Sequence, residues 1–370
     1  MVVHAVTASG FDRVLEVFEQ NFEERDDLGA SFCLLRDGEV VLDIWGGHLD
    51  EARTQPWRED SIVNVYSITK AMSVLCALVL VDRGELDLDA SVAHYWPEFA
   101  AEGKSGVLVR HVLSHSAGLP GLDVPTVPAD LYDWEKMVSL LAAQAPWWEP
   151  GTASGYAGVT YGYLIGEVVR RITGRTIGTF FREEIAEPFG ADFHIGCGPE
   201  HDARVGLLVP PEARPPVDAM FEPGSIAARA FNPRLVPEES RTIAWRRAEI
   251  PGAGGTGNAR SVARLLSLFA CGGELDGKRL MSEETASLIL EEQTYGTDLV
   301  LGMPIRWGLS FMLGTDRVPL PGARCASGGG FGGSTLHLDL DRRISLCYVM
   351  NRMQVHLTGD PRGLLLRDAV

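Results

Sequence analysis

Val63-Asn64-Val65-Tyr66-Ser67-Ile68-Thr69-Lys70 is the stretch whose reading decides the fold of this chain. It ends on one of only four lysines in the sequence, three residues after a serine. That spacing is close to one helical turn, so on a helix the hydroxyl and the amine share a face. A serine hydroxyl is a weak nucleophile at neutral pH. An amine held beside it and stripped of water loses its charge and can take the hydroxyl proton. The apolar run from Ala71 to Arg83 reads as a helix. Ser67 then stands at a helix N-terminus, where free N–H groups and the helix dipole favour developing negative charge. The same four residues also describe an ordinary helix cap with a solvated lysine one turn later, so context has to decide.

Two further stretches supply context. Glu149-Pro150-Gly151-Thr152-Ala153-Ser154-Gly155-Tyr156 makes a turn that delivers a tyrosine just ahead of another helical segment. A phenol there can relay protons if a neighbouring ammonium favours phenolate. Ser327-Gly328-Gly329-Gly330-Phe331-Gly332-Gly333-Ser334 runs directly into a strand-like segment. Glycines at such a place let a substrate lie against the strand edge within reach of backbone N–H groups. Read singly, Tyr156 is a core aromatic and the glycine stretch a flexible turn.

In this order and spacing the three pieces resemble the serine-hydrolase superfamily of class C β-lactamases, D-alanyl-D-alanine carboxypeptidases and family VIII carboxylesterases. The resemblance covers nearly the whole chain. Ile44-Trp45-Gly46-Gly47, Val63 to Lys70, His111 to Pro120, Thr160-Tyr161-Gly162, Leu301-Gly302-Met303-Pro304 and Tyr348 to Met353 are similar to the esterase branch. The resemblance implies Ser67 as the acylated nucleophile, with Lys70 and Tyr156 sharing general-base work. It implies an oxyanion hole from the main-chain N–H groups of Ser67 and Phe331. Tyr66, Gly329, Gly330 and Trp307 are expected to meet substrate. The β-lactamases of the family carry Tyr-x-Asn and Lys-Thr-Gly, whereas Gly158 and Gly328 occupy the asparagine and lysine positions here, and the histidine of many esterases is also missing. These changes remove polar groups that would orient an amide or a carboxylate, and they leave ester cleavage intact.

Bulk properties narrow the class. The net charge of −17 argues against nucleic acid and anionic membrane partners. The longest apolar run, Val74 to Val81, is too short to cross a bilayer, and Met1 to Gly10 has no signal-peptide pattern. Six widely spaced cysteines (Cys33, Cys76, Cys197, Cys271, Cys325, Cys347) without a Cys-x-x-Cys pair read as reduced, buried thiols of a cytoplasmic protein. His111 and His115 stand four apart, a metal-ligand spacing on a helix, but no third ligand is placed to help, so no metal or other cofactor is expected. His337 and His356 have no evident acid partner. There is no Gly-x-Ser-x-Gly elbow.

The helical spacing of Phe11, Val14, Leu15, Phe18 and Phe22 predicts an amphipathic helix opening the chain. Ser31 to Leu35 and Val40 to Trp45 flank Asp37-Gly38 as one hairpin, and Thr335 to Leu340 and Ile344 to Met350 make another. Helices are expected over Trp134 to Ala143, Tyr161 to Thr173, Thr179 to Ala186 and Ala259 to Ala270, with a short helical tail from Pro361. Gly198 to Gly257, with Pro210-Pro211 and Pro215-Pro216, reads as a long irregular segment of the kind that walls a pocket. The expected fold is mixed α/β, like β-lactamases and penicillin-binding proteins. Residues 1–80 and 258–370 form an antiparallel sheet flanked by helices, and residues 81–257 a mainly helical lobe. The expected activity is hydrolysis of small, weakly polar carboxylic esters through an acyl-serine. A β-lactamase or D-amino-acid peptidase using the same site, and a non-catalytic binding member, are the alternatives.

Overall fold

Leu346, Tyr348 and Met350 enter one apolar cluster while Cys347 and Val349 enter another, the period-two pattern of a strand buried on both faces. That strand lies mid-sheet in the computed structural model of the chain, which describes residues 2–7, 9–211, 222, 224–355 and 359–370. Nine strands build the sheet: β1 (Val3–Thr7), β2 (Gly29–Arg36), β3 (Glu39–Gly47), β4 (Thr294–Thr297), β5 (Pro304–Trp307), β6 (Met312–Leu313), β7 (Cys325–Gly329), β8 (Thr335–Asp339) and β9 (Ile344–Met350). Their order is β1-β3-β2-β9-β8-β7-β6-β5-β4, antiparallel throughout. The hairpins read from the two ends of the chain are β2–β3 and β8–β9. They join side by side, with Cys347 opposite Cys33. Asp37 and Gly38 both take positive φ, at 53° and 80°, which matches a two-residue turn to the twist of its strands.

The labelled helices are α1 (Asp12–Glu24), α2 (Thr69–Asp82), α3 (Trp134–Ala143), α4 (Thr160–Thr173), α5 (Ala259–Ala270) and α6 (Pro361–Asp368). Val14, Val17 and Phe18 of α1 and Leu366 of α6 cover one face of the sheet, and Val262 and Leu266 of α5 belong to the cluster on the other. Every residue of α2 from Thr69 to Leu80 is buried, so the helix carrying Lys70 is enclosed on all sides. The expected helix over Thr179 to Ala186 begins earlier, as Ile177–Phe181, and widens into a π turn over Arg182–Ala186.

Strand β1 precedes the helix expected to open the chain. It is an edge strand with mostly exposed side chains, so no buried face imposes alternation on its sequence. A second, four-stranded sheet matters for the site. Ile62–Asn64 pairs with Val205–Gly206 on one side and Thr256–Gly257 on the other, which fixes the chain just ahead of Ser67. Between Gly198 and Gly257 the described residues include short helices at Ile226–Ala230, Pro237–Arg241 and Ile243–Arg247. Pro215 and Pro216 lie outside the described residues, as does His356. No helix among the described residues is long and apolar enough to cross a membrane, and all six cysteines are free and buried.

Candidate active site

Ser67 lies on a tight turn, Tyr66–Ile68, that runs straight into α2. Tyr66 has φ of 45°, a left-handed conformation that costs a non-glycine residue about 1–3 kcal/mol and persists only when its surroundings enforce it. They do so here. Thr69 Oγ1 donates to Tyr66 O at 2.5 Å and accepts from Gly255 N at 2.8 Å. Val65 N donates to Gly255 O, and Asn64 Nδ2 donates to Ala253 O and Gly255 O. The glycine-rich Gly252 to Gly257 stretch is thus the mould against which the serine turn is formed.

Lys70 is 3% exposed, and its Nζ lies 3.1 Å from Ser67 Oγ. It donates to Gly158 O at 2.7 Å and to Gly252 O at 2.8 Å. Burial pulls its pKa from the ordinary 10.5 to about 7. A neutral amine has two N–H bonds and one lone pair. The two carbonyls take the N–H bonds, and the lone pair is left facing the serine. The two carbonyls thereby fix the Lys70 nitrogen at hydrogen-bond distance from Ser67 Oγ.

Tyr156 OH lies 2.5 Å from Ser67 Oγ on the other side. The condition under which the sequence allowed a phenolate is not met. Burial pushes the phenol up to about 12, and although its bond to Ser67 opposes the shift, the nearby Asp298 adds to it. The Lys70 nitrogen sits over the Tyr156 ring, 4.8 Å from its centroid, and it lacks the settled positive charge that would draw out a phenolate. The Tyr156 phenol therefore stays protonated and keeps a proton on the Ser67 side. The main chain of Tyr156 is held by Asp298, a fully buried carboxylate. Asp298 Oδ1 accepts from the N–H groups of Tyr156, Val300 and Leu301, and Oδ2 accepts from Trp307 Nε1 at 3.1 Å. The Trp307 ring stacks on Tyr156 at 6.1 Å and 13°. His115 packs against both rings, and its Nδ1 accepts from Ala157 N at 3.2 Å. Burial, and Lys70 whenever that amine is protonated, hold His115 well below its ordinary pKa, so this ring is neutral.

The glycine loop approaches from β7. A Cβ on Gly330 would lie 2.1 Å from Val65 O, so only glycine lets this backbone press against the serine turn. Phe331 then packs edge-on against Tyr66, with centroids 5.4 Å apart. The N–H groups of Ser67 and Phe331 find no acceptor among the described residues. Ser67 opens into a cavity of about 310 Å³ with largely apolar walls, including Phe231, Leu235, Val236, Phe311 and Met312. Tyr66, Gly329 and Trp307, the residues expected to meet substrate, line it. Gly330 does not, because it is buttressed against Val65 behind the loop. Part of the irregular segment, Ala230 to Pro237, forms one wall and brings Arg234 into the lining. A larger hollow of about 690 Å³ lies away from this chemistry, where Arg343 pairs with Asp37 and Arg279 with Glu274.

His111 and His115 do not share a helix face: the helix ends at Leu113, and His115 has φ of 60°. Among the described residues Asp192, His194 and His201 come within ligand range of one another. Arg204 already occupies Asp192 and donates to His201 Nδ1. His337 sits in β8, and neither of its ring nitrogens has a partner among the described residues. Sequence reasoning missed Asp298 and the carbonyls of Gly158 and Gly252. Nothing in the residue types around 298 announces a buried hub, and carbonyls carry no sequence signal at all.

A family profile described as Beta-lactamase matches residues 18–370. The chain is 34% identical to the protein named Esterase/beta-lactamase LipL from Mycobacterium tuberculosis, over 93% of this chain and 81% of that one. It is 26% identical to Esterase EstB from Burkholderia gladioli, over 97% and 94%. Among solved structures it is similar to a family VIII carboxylesterase, with 40% identity, TM-score 0.93 and coverage of 100% and 99%. It is also similar to a penicillin-binding protein homologue from Caulobacter crescentus, with 40% identity, TM-score 0.91 and the same coverage.

Proposed function

The chain belongs to the beta-lactamase family, and from that footing we propose that it is a serine carboxylesterase acting through an acyl-Ser67 intermediate. One observation carries the reading: Ser67 Oγ is held between Lys70 Nζ at 3.1 Å and Tyr156 OH at 2.5 Å, at the mouth of an apolar cavity. Lys70 takes the Ser67 proton as Oγ attacks the ester carbonyl carbon. The carbonyl oxygen gains the electron pair and turns to the N–H groups of Ser67 and Phe331. Tyr156 gives its proton to the departing alkoxide and is refilled from the Lys70 ammonium. In the second half a water oxygen bonds to the acyl carbon as its proton passes to Tyr156, and the Oγ–acyl bond breaks as Tyr156 returns its own proton to Oγ. The acid leaves and Ser67 is restored.

Esters suit this site better than amides do. Gly158 and Gly328 put no side chain into the cavity, so nothing at those two positions can hold an amide oxygen or a carboxylate. An alkoxide also departs with less help than an amine. The substrate is a small molecule. The site draws Ser67, Lys70 and Phe331 from residues 1–80 and 258–370, and Tyr156 and Arg234 from residues 81–257, which fits a cleft between two lobes. Six buried free thiols suit a reducing compartment, the cytoplasm. Turnover of short-chain aryl esters measured beside a chromogenic cephalosporin tests the choice of substrate. Faster ester cleavage supports it, and faster cephalosporin cleavage replaces it with the β-lactamase reading.

A further inference from the structure

We infer that Arg362 is a positioning residue for the oxyanion-binding loop, gripping from behind the backbone that presents the Phe331 N–H. The inference rests on the acyl-serine reading and assigns a function to a buried ion network outside the reaction cavity.

Arg362 is at the start of α6 and 1% exposed. Its guanidinium has five N–H bonds in a fixed fork, and the structure gives each one an acceptor. Nη1 donates to Asp27 Oδ1 at 2.6 Å and to Arg352 O at 2.9 Å. Nε donates to Asp360 Oδ1 at 3.1 Å. Nη2 donates to Asp360 Oδ2 at 2.8 Å and to Gly332 O at 3.2 Å. Asp27 in turn accepts from Tyr348 OH at 2.6 Å. Burying such a set is a poor way to gain stability, because desolvating the charges offsets their attraction. What it supplies is direction. Both backbone acceptors belong to segments of the site: Gly332 is in the loop, and Arg352 lies two residues before Gln354, which lines the cavity.

The loop needs this support. Gly330 N donates to Ser334 O, and Gly333 N closes a turn onto Gly330 O at 3.1 Å, with Phe331 and Gly332 between them. Three of the four residues in that turn are glycines, without side chains to anchor it and with the most freedom to lose. Its outer side is fixed at Gly332 O, which accepts from Arg362 Nη2 and from Gln354 N at 2.8 Å. A Cβ on Gly333 would lie 2.3 Å from Asp360 Oδ2 and 2.6 Å from Arg362 Nη2, so the loop rests directly on the carboxylate–guanidinium pair. An oxyanion donor works only when held within about 0.5 Å of its productive place, and this network supplies the restraint.

The test is Arg362→Lys, which keeps the charge and loses the fork. Wild type is first treated with a fluorophosphonate and its adduct located by mass spectrometry. No adduct on Ser67 would sink the acyl-serine reading itself. With Ser67 labelled, the variant is expected to lose about 10- to 100-fold in kcat on an aryl ester with KM within about twofold. Its affinity for a boronic acid transition-state analogue should fall in parallel. Trp134→Phe, which removes the Trp134 Nε1 bond to Glu167 away from the loop, is the control for general destabilisation and keeps wild-type kcat well below its Tm. Should Arg362→Lys fail to fold, Asp360→Asn is read the same way. A folded variant with lowered Tm but unchanged kcat and analogue affinity overturns the inference, leaving Arg362 a stability element only.

Discussion

Lys70 Nζ and the carbonyl oxygen of Gly252 lie 2.8 Å apart although 182 residues separate them in the chain. Gly162 of α4 makes the approach possible. A Cβ there would lie 2.2 Å from Gly252 N and 2.5 Å from Pro251 C, both main-chain atoms. The orientation of the lysine lone pair thus depends on a missing side chain in a helix that supplies no reacting group.

Gly162→Ala follows from that dependence. Its methyl has no flexible neighbour to displace, so the 251–252 backbone must shift and Gly252 O with it. The variant should lose about 1–3 kcal/mol of stability in denaturant unfolding. It should lose at least about tenfold in kcat when assayed well below its Tm. Wild-type kcat would detach Gly252 from the chemistry.

The lysine also makes activity and stability depend on pH in related ways. Acylation needs the neutral amine, so kcat/KM on an aryl ester should rise through about pH 7 and level off above it. In the folded chain Lys70 titrates near 7, against its ordinary 10.5 unfolded. Between those values the unfolded chain binds more protons, so this group makes stability rise with pH from 7 toward 10.5. Below 7 its penalty is constant, about 5 kcal/mol at most. Lys70→Met abolishes the dependence. The stability of wild type relative to Lys70→Met should therefore shift in favour of wild type between pH 7 and pH 10, as followed by urea titrations. A parallel pair of curves, or a rate profile flat from pH 5 to 9, contradicts the assignment.

Tyr156→Phe removes the hydroxyl and leaves the main-chain bond to Asp298 in place. Expected are a fall of about 10²- to 10⁴-fold in kcat, KM nearly unchanged and a Tm close to wild type. A large rise in KM at constant kcat would make the phenol a binding group only.

Asp298→Asn tests the hub beneath Tyr156. An asparagine oxygen can keep the three backbone N–H bonds on the Oδ1 side, but its NH₂ then faces Trp307 Nε1, donor against donor. The loss should be about 1–3 kcal/mol in unfolding experiments. Trp307→Phe, which removes the opposing N–H, should recover part of it in the double variant. Strictly additive losses would mean that the Trp307 contact carries no weight.

The three side chains that meet at Ser67 were legible in the sequence, because Ser67, Lys70 and Tyr156 announce themselves by spacing and by the turns that carry them. So were β2, β3, β8 and β9, whose alternation is imposed by burial. The exposed edge strand β1 left no such imprint. Asp298 gave no sign because a lone buried carboxylate is recognised only by its four donors, drawn from positions as far apart as Tyr156 and Trp307. Whether the condition for a phenolate, a charged amine beside the phenol, is met could not be judged from spacing alone. Burial depresses the lysine and raises the tyrosine together, so it is not met. Gly330 was legible as a glycine needed for close approach, but the atom approached is Val65 O.

The central claim is that Ser67 becomes covalently acylated because Lys70 relieves it of its proton. Intact-protein mass spectrometry during turnover of a slow aryl ester measures this most directly. Wild type should gain one acyl mass that maps to the peptide holding Ser67, Ser67→Ala should gain none, and Lys70→Met should gain it at least about 10²-fold more slowly. Acyl mass on another residue, or Lys70→Met labelling at the wild-type rate, would contradict the account.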